Sequence, residues 1–131
     1  MRLILYVDGA SRGNPGEAAI GASLQRPSGK EVDCVSEAIG ITTNNEAEYR
    51  ALVAGLERAL KRKCTEIQVR ADSELIVRQM LGEYKVKHEN LKRFWREAQA
   101  LKDRFKRFEI KHVPREENRR ADELANMALD Q

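Results

Sequence analysis

Four acidic side chains stand at positions from which their carboxylates are expected to meet. Asp8 ends the apolar run RLILYVD, Asp72 ends the alternating run EIQVRAD, Glu48 belongs to an amphipathic segment, and Asp122 flanks an Ala/Leu stripe. Clustered carboxylates repel one another strongly in a medium of low dielectric constant unless a cation lies among them. Oxygen ligands without a Cys or His partner favour Mg²⁺ or Mn²⁺ over zinc. The pattern therefore predicts a divalent-metal site.

Each acid taken alone also has an ordinary explanation. Asp8 could begin a turn, Asp72 could cap a helix, and Asp122 could be a solvated helix acid. Glu48 could lie near a helix start, where the helix dipole favours an anion. We prefer the metal site because a sheet brings the ends of its strands together while helices pack beside them, so that all four acids converge.

Residues 43–60 predict an amphipathic helix that separates two neighbouring glutamates. The segment opens with Thr-Asn-Asn, residue types that cap helix N-termini, and apolar residues then recur at steps of three and four. At about 100° per residue, Glu48 falls on the apolar side and Glu46 on the opposite, solvated side. An ionised carboxylate on a packed face is costly unless something pairs with it. Glu48 is thus the candidate ligand, and Glu46 is an ordinary surface acid.

The elements that would carry these acids change in type along the chain. In chain order, the prediction is strands at residues 2–8, 18–25 and 31–39, a helix at 43–60, a strand at 66–71, helices at 74–81 and 89–106, a strand at 108–113 and a helix at 118–129. Short connections favour an antiparallel meander of the first three strands, whereas strands separated by helices require parallel pairing. We predict an α/β fold with a mixed five-stranded sheet, three antiparallel strands and then two parallel ones, flanked by helices.

The composition is that of one well-solvated globular domain. The 131 residues are 41% hydrophobic and 34% charged, and 24 Lys and Arg against 21 Asp and Glu give a net charge of +3. That excess is compatible with a polyanionic partner without requiring one. Cys34 and Cys64 are too few for a disulfide framework or a zinc site, and the apolar start at residues 3–7 is too short for a signal peptide. We expect a single domain, residues 1–131, in a reducing cytoplasmic setting.

The chain resembles ribonuclease H, type 1, in four segments that follow the order of that family's acidic motifs. They are YVDGASRGNPG, TNNEAEYRAL, VRADSELIVRQM and ENRRADELANMAL. The resemblance implies the ribonuclease H-like fold and endonucleolytic hydrolysis of the RNA strand of RNA–DNA hybrids. It further implies assistance by two Mg²⁺ or Mn²⁺ ions and products with 5′-phosphate and 3′-hydroxyl ends. We expect a monomer that binds hybrid duplexes and no membrane.

The resemblance also implies roles for individual residues. The catalytic metal ligands would be Asp8, Glu48, Asp72 and Asp122. Glu48 stands three residues after the second Asn of the TNN motif, as in the family, which agrees with the prediction made from the helical period. Five positions match contacts in or beside the minor groove of the hybrid, and a sixth matches a contact at which many relatives carry Gln: Gly9, Ser11, Asn14, Asn44 and Asn45, and then Glu74.

One departure from the family pattern concerns a histidine. Many relatives place a His in a loop shortly before the last acid, where it assists proton transfer or product release, whereas residues 113–122 contain none. His112 fits the alternation of the preceding strand and is predicted to be a packed strand residue. Arg115, Glu116 and Glu117 are local polar candidates for a substitute role, and the sequence does not choose among them. Water activated by the ions is the preferred substitute.

A second departure is a short connection. Several relatives carry a basic helix and loop between the helix of the third motif and the next long helix, but only residues 82–88 connect them here. Residues 85–107 still hold nine Lys or Arg against three Asp or Glu. This excess is interpreted first as a solvated helix face and second as a phosphate-binding patch.

Two other functions stay open at this point. One is a non-catalytic nucleic-acid-binding module of the same fold, and the other is an enzyme that acts on double-stranded RNA or a DNA junction. The presence of all four acids disfavours the first, and the ordered TNN and DG motifs disfavour the second.

Overall fold

In the computed structural model, which describes residues 1–131, the first three strands form an antiparallel meander. These strands are β1 (Arg2–Gly13), β2 (Gly16–Gln25) and β3 (Glu31–Thr42). Two further strands, β4 (Glu66–Ala71) and β5 (Arg107–His112), extend the sheet beyond β1 with parallel pairing. The strand order β3-β2-β1-β4-β5 confirms the predicted mixed five-stranded sheet.

Helices lie on both faces of this sheet. They are α1 (Asn44–Lys61), α2 (Glu74–Met80), α3 (Glu89–Lys102) and α4 (Arg119–Leu129). Gly55 of α1 packs against Leu5 of β1, which is paired with Leu24 of β2. Helix α4 packs against Gly21 of β2, three residues from Leu24 and therefore on the opposite face. None of the helices combines the length and the apolar character needed to cross a lipid bilayer.

Helix α1 is the central helix of the core. Thr43 Oγ1 accepts a hydrogen bond from the backbone N–H of Glu46 at 3.3 Å, which caps the helix as the sequence predicts. The apolar stripe, with Leu52 and Leu56 fully buried, packs on β1 and on α3. Burial of this stripe fixes the rotation of α1, and it thereby fixes the direction in which Glu48 points.

A buried polar network joins α1 to α2 and α3. The Tyr49 hydroxyl donates a hydrogen bond to Gln79 Oε1 at 2.6 Å, and both residues are buried. Gln79 Nε2 donates to the backbone carbonyl of Lys85 at 3.3 Å, and Trp95 Nε1 donates to the backbone carbonyl of Gln79 at 3.2 Å. The short connection between α2 and α3 is therefore tied to α1 through Gln79.

We expect Tyr49→Phe to lower the free energy of unfolding by about 1–3 kcal/mol, because the buried Gln79 Oε1 then lacks its donor. Urea denaturation followed by circular dichroism measures the change. Tyr84→Phe is the matched control, since Tyr84 is 46% exposed. That control should change the free energy of unfolding by less than about 0.5 kcal/mol. Equal losses in the two variants would contradict the role given to the network.

Several element boundaries differ from the predicted ones. Strand β1 continues to Gly13 instead of ending at Asp8, because it stays paired with β2 until Gly13 meets Gly16. Residues 9–16, which are rich in turn-forming types, therefore form the distal end of the β1–β2 hairpin and not a long loop. Strand β3 likewise continues to Thr42. Helix α3 ends at Lys102, before the predicted residue 106, and β5 begins and ends one residue earlier than predicted.

Candidate metal and active site

Three of the four predicted acids meet at one edge of the sheet. Val7 of β1 is paired with Ala71 of β4, so Asp8 lies where β1 leaves β4, and Asp72 directly follows β4. Glu48 reaches the same place from α1, and one carboxylate oxygen of each of the three acids lies within 4.8 Å of the others. Asp8 is 5% exposed and Glu48 is 7% exposed. We call Asp8, Glu48 and Asp72 the acidic cluster.

Gly9 allows α1 to approach β1 closely enough to bring Glu48 to Asp8. A Cβ atom at Gly9 would lie 2.3 Å from the carbonyl carbon of Ala47 and 2.4 Å from the backbone nitrogen of Glu48, so any side chain would force the two elements apart. The N–H of Gly9 also donates a hydrogen bond to Glu48 Oε1 at 3.0 Å. The backbone of Gly9, a residue predicted as a substrate contact, thus holds the Glu48 carboxylate of the cluster in place.

The fourth predicted acid, Asp122, lies in the first turn of α4, beside the acidic cluster. Helix α4 lies close to the sheet here. A Cβ atom added at Gly21 would lie 2.1 Å from the carbonyl oxygen of Ala121. Asn126 Nδ2 donates a hydrogen bond to Asp122 Oδ1 at 3.2 Å. Asp122 is among the groups that raise the pKa of Asp8, which agrees with a position of its carboxyl group near that of Asp8.

Burial dominates the electrostatics of the cluster. It raises the pKa of Asp8 far above the usual range of a carboxyl group, and the charges of Glu48 and Asp72 raise that pKa further. Burial also raises the pKa of Glu48 to about 7, although the N–H of Gly9, the neighbouring Asp8 and the guanidinium of Arg115 oppose this shift. The ionised forms of these carboxylates are therefore unfavourable without a nearby cation.

The residues present fit a divalent cation. Glu48 Oε2 is buried and has no hydrogen-bond partner, although its partner oxygen Oε1 has one. A buried, unpartnered carboxylate oxygen is costly unless a cation or a donor meets it. All the donor atoms of the cluster are carboxylate oxygens, which suit hard cations such as Mg²⁺ and Mn²⁺.

The predicted substrate residues fall into two groups. Asn14 Oδ1 accepts a hydrogen bond from the backbone N–H of Asn44 at 3.1 Å, and Ser11 Oγ donates to the backbone carbonyl of Thr42 at 3.1 Å. These contacts fix the hairpin tip of β1 and β2 against the start of α1. Asn14 and Asn45 line a polar groove of about 370 Å³ there.

Glu74 forms the second group by itself. It lies in the first turn of α2, where its Oε1 pairs with Arg78 Nε at 2.8 Å. Its side chain is exposed and lies two residues after Asp72 in the chain. Glu74 therefore forms a surface ion pair. It does not line the groove beside Asn14 and Asn45, which we call the hairpin groove.

Known proteins share this fold. Residues 6–128 match the family described as reverse transcriptase-like. The chain is 47% identical over 131 residues to a bifunctional protein of Mycobacterium tuberculosis. It matches the crystal structure of RNase H1 from Halobacterium salinarum with a TM-score of 0.96 at 45% identity, over 99% of this chain and 98% of that one. It matches LC11-RNase H1 in complex with an RNA/DNA hybrid with a TM-score of 0.92 at 46% identity, over 98% of this chain and 96% of that one. The chain belongs to the ribonuclease H family, type 1.

The match covers this chain almost completely but only part of some relatives. It includes 99% of this chain and 36% of the length of the Mycobacterium tuberculosis protein, and 98% of this chain and 65% of the ribonuclease HI of Halobacterium salinarum. The ribonuclease H fold and its acidic edge are thus contained in residues 1–131.

The histidine nearest to the last acid of this ribonuclease H lies on an edge strand. His112 is in β5, as predicted, but its side chain is exposed, so the prediction of a packed face was wrong. The reason is that β5 is an edge strand, and α2, which packs against it, is a short helix. We now expect His112→Ala to change the free energy of unfolding by less than about 0.5 kcal/mol. Single-turnover cleavage should slow less than about tenfold, and a hundredfold loss would show that His112 assists the chemistry.

Among the three residues named as candidates to replace the missing histidine, Arg115 is the one whose positive charge lies near the acids of the site. Its guanidinium Nη2 lies 3.8 Å from Asp122 Oδ1, and its charge opposes the rise in the pKa of Glu48. The side chain is 81% exposed and free to turn towards a bound phosphate. Glu116 and Glu117 are exposed acids, which would add to the negative charge.

We expect Arg115→Ala to lower kcat on RNA–DNA hybrids by about tenfold, because the variant loses a cation that lies beside Asp122 and would stabilise negative charge on a phosphate bound at the proposed site. The effect is smaller than for a buried donor, since solvent screens the exposed guanidinium. Arg119→Ala is the matched control, because it removes the same charge from an exposed residue at the start of α4. Steady-state kinetics should separate the two variants, and equal kcat values would contradict a local role for Arg115.

Asn118 has a place in the site that sequence reasoning did not assign. It lies four residues before Asp122, at the N-cap position of α4, and it is fully buried. The available signal was its position in the segment ENRRADELANMAL, directly before an apolar helix. An Asn at such a position is normally interpreted as a cap. The sequence alone therefore does not indicate that its side chain forms a hydrogen bond with Val7 of β1.

Proposed function

We propose that residues 1–131 form a catalytic domain that hydrolyses the RNA strand of RNA–DNA hybrids. The observation that carries the proposal is the buried acidic cluster with its unpartnered Glu48 oxygen, which fits a divalent cation. The likeness to LC11-RNase H1, a protein crystallised with an RNA/DNA hybrid, supports the choice of substrate. A pure binding module would gain nothing from burying several carboxylates together.

We assign the metal-binding role to the acidic cluster and Asp122, with two Mg²⁺ or Mn²⁺ ions when substrate is bound. Such ions, when bound, activate water as the nucleophile and stabilise negative charge on the leaving oxygen. The protein's own contribution is to hold the carboxylates in fixed positions. Gly9 orients Glu48 through its N–H, and Asn126 orients Asp122 through its side-chain amide. The expected products carry 5′-phosphate and 3′-hydroxyl ends.

The hairpin groove is proposed to bind the minor groove of the hybrid. The side chains of Ser11, Asn14 and Asn45 present hydroxyl and amide groups at or beside it, and an amide both donates and accepts hydrogen bonds. The 2′-hydroxyl of RNA also does both, and it is the group that distinguishes RNA from DNA. Contacts are proposed at the six positions named by the resemblance: Gly9, Ser11, Asn14, Asn44, Asn45 and Glu74.

The domain is proposed to act as a monomer in the cytoplasm. The acidic cluster and Asp122 all come from one chain, so the site needs no residue from a second copy. Both cysteines are free thiols, and Cys34 is exposed, which fits a reducing compartment. Size-exclusion chromatography with light scattering tests the oligomeric state directly.

One assay tests the function. End-labelled RNA–DNA, RNA–RNA and DNA–DNA duplexes of the same sequence are incubated with the protein in Mg²⁺, in Mn²⁺ or in EDTA. We expect cleavage of the RNA strand in the hybrid only, and none in EDTA. The Asp72→Asn variant controls for contaminating nucleases, because it removes a cluster carboxylate that is only partly buried. Equal cleavage of RNA–RNA would redirect the proposal to double-stranded RNA, and binding without cleavage would indicate a non-catalytic module.

A further inference from the structure

Asn118 makes a buried contact that a capping residue does not make. Its side chain forms no hydrogen bond with the first turn of α4. Instead, Asn118 Nδ2 donates to the backbone carbonyl of Val7 at 2.8 Å, in a position from which solvent is wholly excluded. Val7 directly precedes Asp8, so the amide holds β1 next to the residue that carries the first acid of the cluster.

The backbone of Asn118 is tied to the other side of the site. Its carbonyl accepts a hydrogen bond from the N–H of Asp122 at 3.1 Å, and its N–H donates to the carbonyl of Arg115 at 2.9 Å. One residue therefore connects β1 at Val7, directly before Asp8, with α4 at Asp122 and with the turn that carries Arg115. At the far end of α4, the exposed Arg12 of β1 donates to the carbonyl of Leu129 at 3.2 Å.

The side chain of Asn118 is not one that stability alone would select. Its Oδ1 is buried without a hydrogen-bond partner, which is unfavourable in a dry interior. A leucine has the same number of side-chain heavy atoms and would leave no unpartnered side-chain oxygen. The value of the amide is therefore the geometry that its Nδ2 imposes on β1 and α4.

We infer that Asn118 is a positioning residue that sets the separation of Asp8 and Asp122 and thereby the affinity of the site for divalent metal. This inference rests on the proposed metal-dependent function. Residues that orient metal ligands without touching the metal typically contribute about 10–100-fold to metal affinity or activity. Hybrid binding at the hairpin groove does not pass through Asn118, so KM for the hybrid should not depend on it.

The test is Mn²⁺ binding by isothermal titration calorimetry, without substrate, on the wild type and on Asn118→Leu. We expect the Kd for Mn²⁺ to rise about tenfold or more in the variant. At saturating metal, kcat on the hybrid should fall by a similar factor while KM stays within about twofold. Asn118→Ala is measured in parallel, because alanine fits the site without strain if leucine prevents folding.

The matched control is Ser36→Ala, which also removes one polar link between the sheet and α4. Ser36 Oγ donates to the carbonyl of Leu124 at 2.6 Å, on the face of α4 that meets β3. This variant should keep the wild-type Kd for Mn²⁺ and the wild-type kcat. Unchanged Mn²⁺ affinity in both Asn118 variants would overturn the inference while leaving the proposed function standing. A wild type that neither binds Mn²⁺ nor cuts hybrids would overturn both.

Discussion

Asp8→Asn is expected to abolish hybrid cleavage while leaving the protein folded and, without metal, more stable than the wild type. The substitution removes one carboxylate from a cluster in which burial and two neighbouring acids oppose ionisation. It also removes a carboxylate oxygen from the proposed metal site, so the gain in metal-free stability should come with a loss of cation binding. Cleavage of labelled hybrid and thermal unfolding in EDTA measure the two effects. Activity above about a tenth of the wild-type value would contradict the assignment of Asp8 as a ligand.

The stability of the metal-free protein should also depend on pH. The pKa values of Asp8 and Glu48 are raised in the folded state, that of Glu48 to about 7, so the folded chain binds these protons more tightly than the unfolded chain. Their stabilising contribution is therefore complete below the ordinary carboxyl pKa of about 4 and is lost as the pH rises through the raised values. Metal-free wild type should become less stable between about pH 5 and 8, and Asp8→Asn should lose less. Parallel pH profiles of the two proteins would contradict this.

Glu48→Gln is expected to lower activity by about 10³-fold or more, whereas Glu46→Gln should stay near the wild type. The first removes a buried charge of the acidic cluster, the proposed metal site, where its effect on the transition state would be large. The second changes a residue of the same helix that lies outside the acidic cluster and pairs with Arg50 at 3.8 Å. Single-turnover cleavage at saturating metal compares the two.

The pair of variants is informative because the chemical change is the same. Both replace a glutamate by its amide, at positions two residues apart near the start of α1. Glu48→Gln also keeps an oxygen that can accept the hydrogen bond from the Gly9 N–H, so the approach of α1 to β1 should survive. Similar activities of the two variants would mean that the rotation of α1 does not decide which glutamate acts.

The main features of the site could be predicted from the sequence because two simple periods determine them. The alternation in residues 66–71 places Asp72 at the end of a strand, and the helical period in α1 turns Glu48 inwards and Glu46 away from the cluster. Those periods reflect burial, which is the strongest signal that a single sequence carries. The order of strands and helices then determined the parallel pairing of β1 with β4.

The features that the sequence did not predict depend on contacts between distant elements. Gly9 was predicted from the family resemblance as a substrate contact, yet it lies within β1 at a point where α1 approaches too closely for a side chain. His112 was assigned to a packed face, but nothing in the local alternation indicates that β5 is an edge strand with little cover. Asn118 has the residue type of a cap, and only the tertiary structure shows that its amide binds β1 instead.

The placement of the four acids on β1, α1, the end of β4 and α4 has a consequence for the biogenesis of the enzyme. Among the elements of residues 1–131, β1 is synthesised before the others and α4 after all of them. A nascent chain can therefore complete its meander and dock α1 while the Asp122 carboxylate and the Asn118 amide are still missing. We expect such a chain to present an incomplete anionic cleft with weak affinity for cations. We propose that hybrid cleavage begins only after α4 docks, because the proposed metal site is incomplete until then.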